Sequence, residues 1–249
     1  MNKKCPICKG HTSPIDVLDL SRSCGVAGES IPMTFVPIYY FICDDCDFVF
    51  APEMCSWPKQ KFKDLIYNSE YVQVDPEYLE KRPSANAQMI DRLFGDQKLK
   101  IKHLDFGGGN GHLSELLKTR SWDSLSYDPF ESPEMNAEEL DKFHFITAFE
   151  VFEHVPDPHA MMDELSKFFS HDSLMFFTTL LSDGHISRSK RLTWWYCAPR
   201  NGHISLFSRK SLNLLAKRHG LNYGNIDQGT HLMFKKMPTW AAAKFTQKK

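Results

Sequence analysis

The chain has 249 residues, 42% hydrophobic and 24% charged, with 13 Gly and 14 Pro, a composition that excludes fibrous and disordered classes and suits one sizeable α/β domain with a small appendage. Lys and Arg total 30 against 31 Asp and Glu, a formal charge of -1, which argues against nucleic acid as a partner. No stretch approaches the roughly 18 to 20 consecutive apolar residues that span a bilayer, and the start at Met1 lacks the apolar run of a secretion signal; no membrane partner and a cytoplasmic location are the expectation.

Seven cysteines without a secretion signal do not read as a disulfide framework. Cys5-Pro6-Ile7-Cys8 is answered by Cys43-Asp44-Asp45-Cys46. Two such turns supply four soft ligands to one closed tetrahedral Zn(II) site. Between them, Ile15 to Leu20 and Phe35 to Phe41 read as short strands, so residues 1–55 are expected to form a zinc ribbon whose metal supplies much of its folding free energy. A redox C-x-x-C normally opens a helix in a βαβ unit, and neither pair sits in one. Cys24, Cys55 and Cys197 have no partner at ligand spacing and read as small half-buried thiols.

Residues 56–98 read as connecting helices, with Tyr67, Tyr71 and Tyr78 along them and Pro58, Pro76 and Pro83 as breaks. Ala87, Ile90, Leu93 and Phe94 recur at helical spacing, which predicts a helix from about Ser84 to Phe94.

The third segment, 99–249, opens with a strand, Ile101 to Phe106, that runs into Gly107-Gly108-Gly109-Asn110-Gly111 and then a helix from His112 to Lys118. Strand, glycine turn and helix form the unit that holds a nucleotide-like cofactor against the main chain. His112 stands where a dinucleotide fingerprint wants its third glycine, which disfavours NAD. A second strand, Ser124 to Tyr127, ends in Asp128, placed to accept hydrogen bonds from ribose hydroxyls. Only 14 residues separate Asp128 from the next strand, Phe143 to Phe149, so a third strand is expected to be short or missing. That strand leads into Glu150-Val151-Phe152-Glu153-His154-Val155-Pro156.

Downstream, a helix from about His159 to Phe169 with Met161, Leu165, Phe168 and Phe169 on one face precedes a strand from Leu174 to Leu181. Trp194 to Ser208 is rich in aromatic, polar and breaker residues and suits an acceptor pocket. Leu212, Leu215 and Ala216 mark a further helix, and Leu221 to Asp227 with Thr230 to Lys235 a terminal hairpin.

With Asp105 two residues ahead of the first glycine, Leu104 to Gly111 resembles motif I of class I methyltransferases, and Phe149 to Pro158 resembles their segment after the fourth strand. The resemblance implies an α/β fold, with a Rossmann-like sheet, helices on both faces and a C-terminal antiparallel hairpin. It implies S-adenosylmethionine as cofactor, contacted by Asp105, Gly107, Gly109, Gly111, Asp128, Phe149 and Glu150. With the zinc module in front, the chain resembles bacterial methyltransferases of sugar and secondary-metabolite pathways, which points to a small-molecule acceptor.

Three roles stay open for Glu150, Glu153 and His154 beside plain hydrogen bonding at the strand end: His154 as general base, a Glu-His pair orienting a sugar, or a divalent-cation site such as some related quinone and RNA methyltransferases carry. His203 is the other candidate base, or a cap for the helix starting near Ser208. The rival reading is a zinc-ribbon RNA methyltransferase, against which stand the charge balance and the lack of an Asn/Asp-Pro-Pro-Tyr/Phe segment.

Overall fold

Two sheets take up the strands of this protein, whose computed structural model describes residues 3–25, 31–131 and 135–245. In chain order come β1 (Thr12–Asp19), β2 (Pro37–Cys43) and β3 (Val49–Phe50), then the helices α1 (Pro52–Cys55), α2 (Lys59–Leu65), α3 (Tyr71–Val74) and α4 (Lys81–Phe94). β4 (Lys102–Phe106), α5 (His112–Lys118), β5 (Asp123–Tyr127), β6 (Phe143–Ala148), α6 (Pro158–Ser166) and β7 (Phe169–Thr178) follow. The chain continues through β8 (Ser205–Leu206), α7 (Arg209–Arg218), β9 (Asn222–Asn225), β10 (Thr230–Phe234) and α8 (Thr239–Phe245).

The chain divides into two compact units, Met1–Pro76 with Glu150–Met161 and Thr179–Leu215, and Glu77–Phe149 with Met162–Thr178 and Ala216–Lys249. Neither unit is one continuous stretch, whereas the sequence reads as the consecutive segments 1–55, 56–98 and 99–249.

The second unit holds a six-stranded sheet in the order β5-β4-β6-β7-β10-β9. β5, β4, β6 and β7 run parallel, and β10 and β9 close it antiparallel. This is the Rossmann-like sheet with a terminal hairpin that the motifs imply. Among the described residues only the 3-10 turn Ala137–Glu139 lies between β5 and β6. β5 is accordingly the sheet edge, in keeping with the short span after Asp128; Ser132, Pro133 and Glu134 lie outside the described residues.

Side chains alternate across the sheet because the strand period is two. One face sends Phe145 and Phe176 into a core with Ala87, Ile90 and Phe94 of α4, Leu113 and Leu117 of α5, and Ala241 of α8. Phe94 packs its ring, tilted, 4.7 Å from that of Phe145. The other face sends Phe106 and Tyr127 against Phe168, just beyond α6, and Phe143, at the start of β6 where the register shifts, also packs on that ring. Each fully buried ring or Leu contributes roughly 1.5–3 kcal/mol by area.

Two boundaries differ from expectation. α4 begins at Lys81, so Pro83 sits in its first turn rather than breaking the chain; a first-turn N–H has no helical partner to lose. α6 stops at Ser166, and Phe169 already begins β7. Phe168 and Phe169 are buried as expected, but by the turn and the strand rather than by a helix face.

The first unit is built on a four-stranded sheet, β1-β2-β3-β8, all antiparallel. The β1–β2 hairpin is where the sequence places strands. The fourth strand is Ser205–Leu206, which pairs with Val49 and Phe50.

Candidate functional site

In the second unit, β4 delivers Asp105 to the base of the glycine loop. Gly107, Gly109 and Gly111 take φ of 72, 54 and 78°, left-handed backbone that glycine adopts without Cβ cost. Gly107 N–H donates to the Tyr127 carbonyl at 2.8 Å, which ties the loop to the end of β5. Gly108, which the sequence reading passed over, has a different reason to be glycine: a Cβ there would stand 2.3 Å from Asp105 Oδ2 and 2.4 Å from Ser126 Oγ.

Asp105 is buried and accepts from Thr147 Oγ1 at 3.0 Å. Burial, opposed by that hydrogen bond and reinforced by the nearby Asp128 charge, pushes its carboxyl up to about 7. Behind it, His103 links Thr147 (3.0 Å) to Ser124 (2.8 Å), and Ser124 meets Ser114 (2.7 Å). Because the Thr147 proton goes to the Asp105 carboxylate, Thr147 accepts from His103 Nε2–H, and His103 Nδ1 accepts from Ser124. Burial holds this imidazole neutral, with its pKa down at about 3.

Asp128 follows β5, as the sequence places it. Its Oδ2 accepts from Gly109 N–H at 2.9 Å, and its Oδ1 from the N–H groups of Phe130 and Glu131 at 2.7 and 3.2 Å. A carboxylate is thus fixed beside the glycine loop. Ser126 Oγ is buried under that loop with no hydrogen-bond partner among the described residues. Around Gly109 a Cβ would meet nothing within 4 Å. An open, left-handed glycine flanked by a fixed acid suits an adenosyl ribose. Phe149 packs its ring 5.9 Å from Phe176.

In the first unit, Glu150 holds a left-handed φ of 53°, costly for a residue with a Cβ. The 3-10 turn Phe152–His154 follows. His154 Nδ1 lies 3.2 Å from the Gly202 carbonyl and 3.2 Å from the Tyr67 hydroxyl. A carbonyl only accepts, so Nδ1 carries the proton and the neutral ring keeps its lone pair on Nε2.

His203 obeys the same logic, with Nδ1 2.8 Å from the Tyr196 carbonyl. Its ring stands 4.9 Å from that of His154 and 4.2 Å from that of Tyr196. Tyr196 in turn donates to the fully buried Glu153 carboxylate at 2.5 Å.

The structure therefore brings Glu153, His154 and His203 together, with one ligand-type atom from each within 4.8 Å of the others. Glu150 is not part of that group among the described residues. His203 is not the cap of α7: Ser208 and Ser211 cap it reciprocally, each side chain accepting from the other's N–H at 3.0 Å.

Tyr67 was not legible as a site residue, whereas Tyr196 and Gly202 lie within the segment from Trp194 to Ser208 expected to shape an acceptor pocket, though nothing marked them individually. Gly202 has φ 84°, and a Cβ there would meet Tyr67 Oη at 2.8 Å and His154 Nδ1 at 3.1 Å.

The four expected metal ligands also come together. Cys5 and Cys46 Sγ are 3.6 Å apart and Cys8 and Cys43 Sγ 3.3 Å, with all four within 4.8 Å. Disulfide sulfurs would stand about 2.05 Å apart, whereas Zn–S bonds of about 2.3 Å place tetrahedral sulfurs about 3.8 Å apart. Both knuckles turn through a left-handed residue just after the second cysteine, Lys9 at φ 66° and Asp47 at φ 56°. Gly10 lets them meet, since a Cβ there would stand 2.0 Å from Asp45 Oδ2. The remaining thiols are pushed up to about 12 by burial at Cys24, Cys55 and Cys197, which leaves them poor nucleophiles.

A methyltransferase-domain family profile matches residues 78–224. No curated protein matches the chain. Among solved structures, magnesium protoporphyrin IX methyltransferase from Synechocystis is similar at 11% identity and TM-score 0.47, over 71% of this chain and 98% of that one. Streptomyces venezuelae DesVI is similar at 11% identity and TM-score 0.45, over 69% and 97%. Human N-acetylserotonin methyltransferase is similar at 11% and 0.47, over 72% and 63%.

Proposed function

The chain belongs to the methyltransferase-domain family of S-adenosylmethionine-dependent enzymes, and from that premise we propose that it methylates a small-molecule acceptor, a sugar, nucleotide-linked sugar or other secondary metabolite. The observation that carries the cofactor half is the Asp128 carboxylate held against Gly109 N–H at the end of β5. Gly107, Gly109 and Gly111 shape the turn, Asp105 supports it from beneath, Asp128 takes the ribose hydroxyls, and Phe149 and Glu150 border the ligand. When bound, S-adenosylmethionine supplies a methyl carbon already activated on a sulfonium.

What this chain must then do is orient the acceptor, exclude water and take a proton. His154 is the proposed base: its Nδ1–H is committed to the Gly202 carbonyl, which leaves the Nε2 lone pair as the proton acceptor. Glu153 and His203 stand beside it, with Tyr196 bonded to Glu153. The four thiols of Cys5, Cys8, Cys43 and Cys46 bind one Zn(II), which the sulfur spacings support.

A small-molecule rather than an RNA acceptor is supported by the charge balance, and Arg188 and Arg191 are paired with Asp44 and Asp16. No helix among the described residues is long and apolar enough to cross a membrane.

The test is methyl transfer from labelled cofactor to panels of nucleotide-linked sugars, phenolic metabolites and RNA, alongside calorimetry with S-adenosylhomocysteine. Micromolar binding, with labelled product from one small-molecule panel, is the expected result. Label in RNA alone overturns the acceptor class, and absent binding overturns the cofactor. His154→Ala should slow turnover with cofactor affinity retained; equal turnover removes His154 from the mechanism.

A further inference from the structure

Each cysteine knuckle lends one main-chain carbonyl to one of the two histidine-bearing segments of the first unit. His159, five residues after His154, has Nε2 3.0 Å from the carbonyl of Ile7, inside the Cys5–Cys8 turn. A ring nitrogen facing a carbonyl donates to it. Ser208, five residues after His203, donates its hydroxyl to the carbonyl of Cys46 at 2.6 Å. The two anchors are equivalent in spacing and come from opposite knuckles.

The strand between the knuckles adds a third tie. Tyr40, three residues ahead of Cys43 on β2, is wholly buried and donates its hydroxyl to the His203 carbonyl itself at 2.8 Å. Ala51 N–H donates to the Ile204 carbonyl at 2.9 Å, and β3 pairs with β8 immediately after. The two histidine segments are then stitched to each other. Ile204 N–H donates to the Glu153 carbonyl (2.9 Å), Ser205 Oγ donates to that of Val155 (2.7 Å), and His154 Nδ1–H donates to that of Gly202 (3.2 Å).

Several of the hydrogen bonds that set the main chain around His154 and His203 therefore lead within a few residues to a cysteine of the cluster. A bland role for the metal, closing a small hairpin that cannot bury enough apolar area alone, needs only β1 and β2. It does not require carbonyls inside the knuckles to be spent on residues some 150 to 160 positions away in sequence.

We propose that the four-cysteine site and Tyr40 position the imidazoles of His203 and His154, so that metal occupancy sets the geometry of the acceptor side and not of the cofactor loop. Tyr40 is a positioning residue: it touches the His203 main chain and no ring nitrogen. The proposal rests on the zinc and acceptor-side readings above.

The experiment uses the full chain labelled with 13C at histidine Cε1. Resonances are followed before and after removal of metal by a chelator, with S-adenosylhomocysteine titrated in parallel. Stripping should move or broaden the His154 and His203 lines, leave those of His103 and His231 in the cofactor-side unit in place, and keep cofactor-product affinity within about twofold; zinc should restore the pattern.

Should stripping unfold the first unit outright, the Tyr40→Phe and Ser208→Ala variants carry the test with metal retained. Each should displace the His203 line at one zinc per chain. Unmoved His154 and His203 lines, in the stripped protein or in both variants, overturn the coupling. Metal analysis showing no zinc in the purified chain would overturn the zinc reading and the metal half of the proposal with it, while silence in the acceptor panels with these line shifts present would overturn the acceptor reading alone.

Discussion

Thr147 Oγ1 donates to Asp105 Oδ1 across 3.0 Å, the last step of a buried line that runs Ser114, Ser124, His103, Thr147, Asp105. Every link points toward one carboxylate, and that carboxylate is raised to about 7, chiefly by burial. An acid with a raised folded pKa holds its proton more tightly folded than unfolded. Its neutral form stabilises the fold at low pH, and that contribution is lost as pH rises from about 4 through 7, on the order of a few kcal/mol in all. Thermal melts at pH 5 and pH 8 should show a larger drop for the native chain than for Asp105→Asn. Parallel melting profiles would mean that Asp105 is not the group responsible.

Gly108 and Gly109 separate two kinds of glycine requirement. Alanine at Gly109 meets open space and carries only the cost of φ 54°, about 1–2 kcal/mol. Alanine at Gly108 drives a methyl into Asp105 Oδ2 and Ser126 Oγ, an overpacking of about 1–3 kcal/mol that also lifts the loop off its support. Calorimetry should show the greater loss of S-adenosylhomocysteine affinity for Gly108→Ala. The reverse order would show that the loop does not rest on Asp105 when it binds.

For Asp128, replacement by alanine removes the acceptor for Gly109, Phe130 and Glu131 N–H together with the proposed ribose contact. Charged hydrogen bonds contribute roughly 1.5–3 kcal/mol each, so cofactor affinity should fall at least about tenfold with little change in zinc content. A dissociation constant within twofold of the native value would take Asp128 out of the site.

Gly202→Ala should act on turnover rather than on cofactor binding. Its Cβ would press on Tyr67 Oη and His154 Nδ1 from a φ of 84°, displacing the ring whose Nδ1–H the Gly202 carbonyl holds. A tenfold fall in turnover corresponds to about 1.4 kcal/mol of barrier, and the change should equal or exceed this. Unchanged turnover with a once-identified acceptor would argue that the His154 ring orientation does not matter.

Most of the second unit was legible because its signals are local. The run Lys102 to Gly111, the helix His112 to Lys118 and the strand ending before Asp128 each declare themselves by periodicity and glycine. The cysteine cluster was legible from ligand type and spacing. What stayed hidden depends on contacts far apart in sequence. Nothing around Tyr67 marks it as a partner of His154, nothing around Tyr40 marks it as holding His203, and Ser205–Leu206 is too short to show a strand pattern before β3 pairs with it. Pro83 misled because a proline in a helix's first turn looks, in sequence, like one that ends it.

The pairing of Val49 with Leu206 sets a timetable for a chain emerging from the ribosome. β3 is made early and its outer edge stays open until β8 arrives, after all of β4 to β7 has been synthesised. Non-local closures of this kind are slow, and an unpaired edge is a template for the wrong neighbour. This sheet is thus begun before β4 is made and completed only after β7. Until β8 arrives, that edge is where a nascent copy of this protein is exposed to mispairing with another.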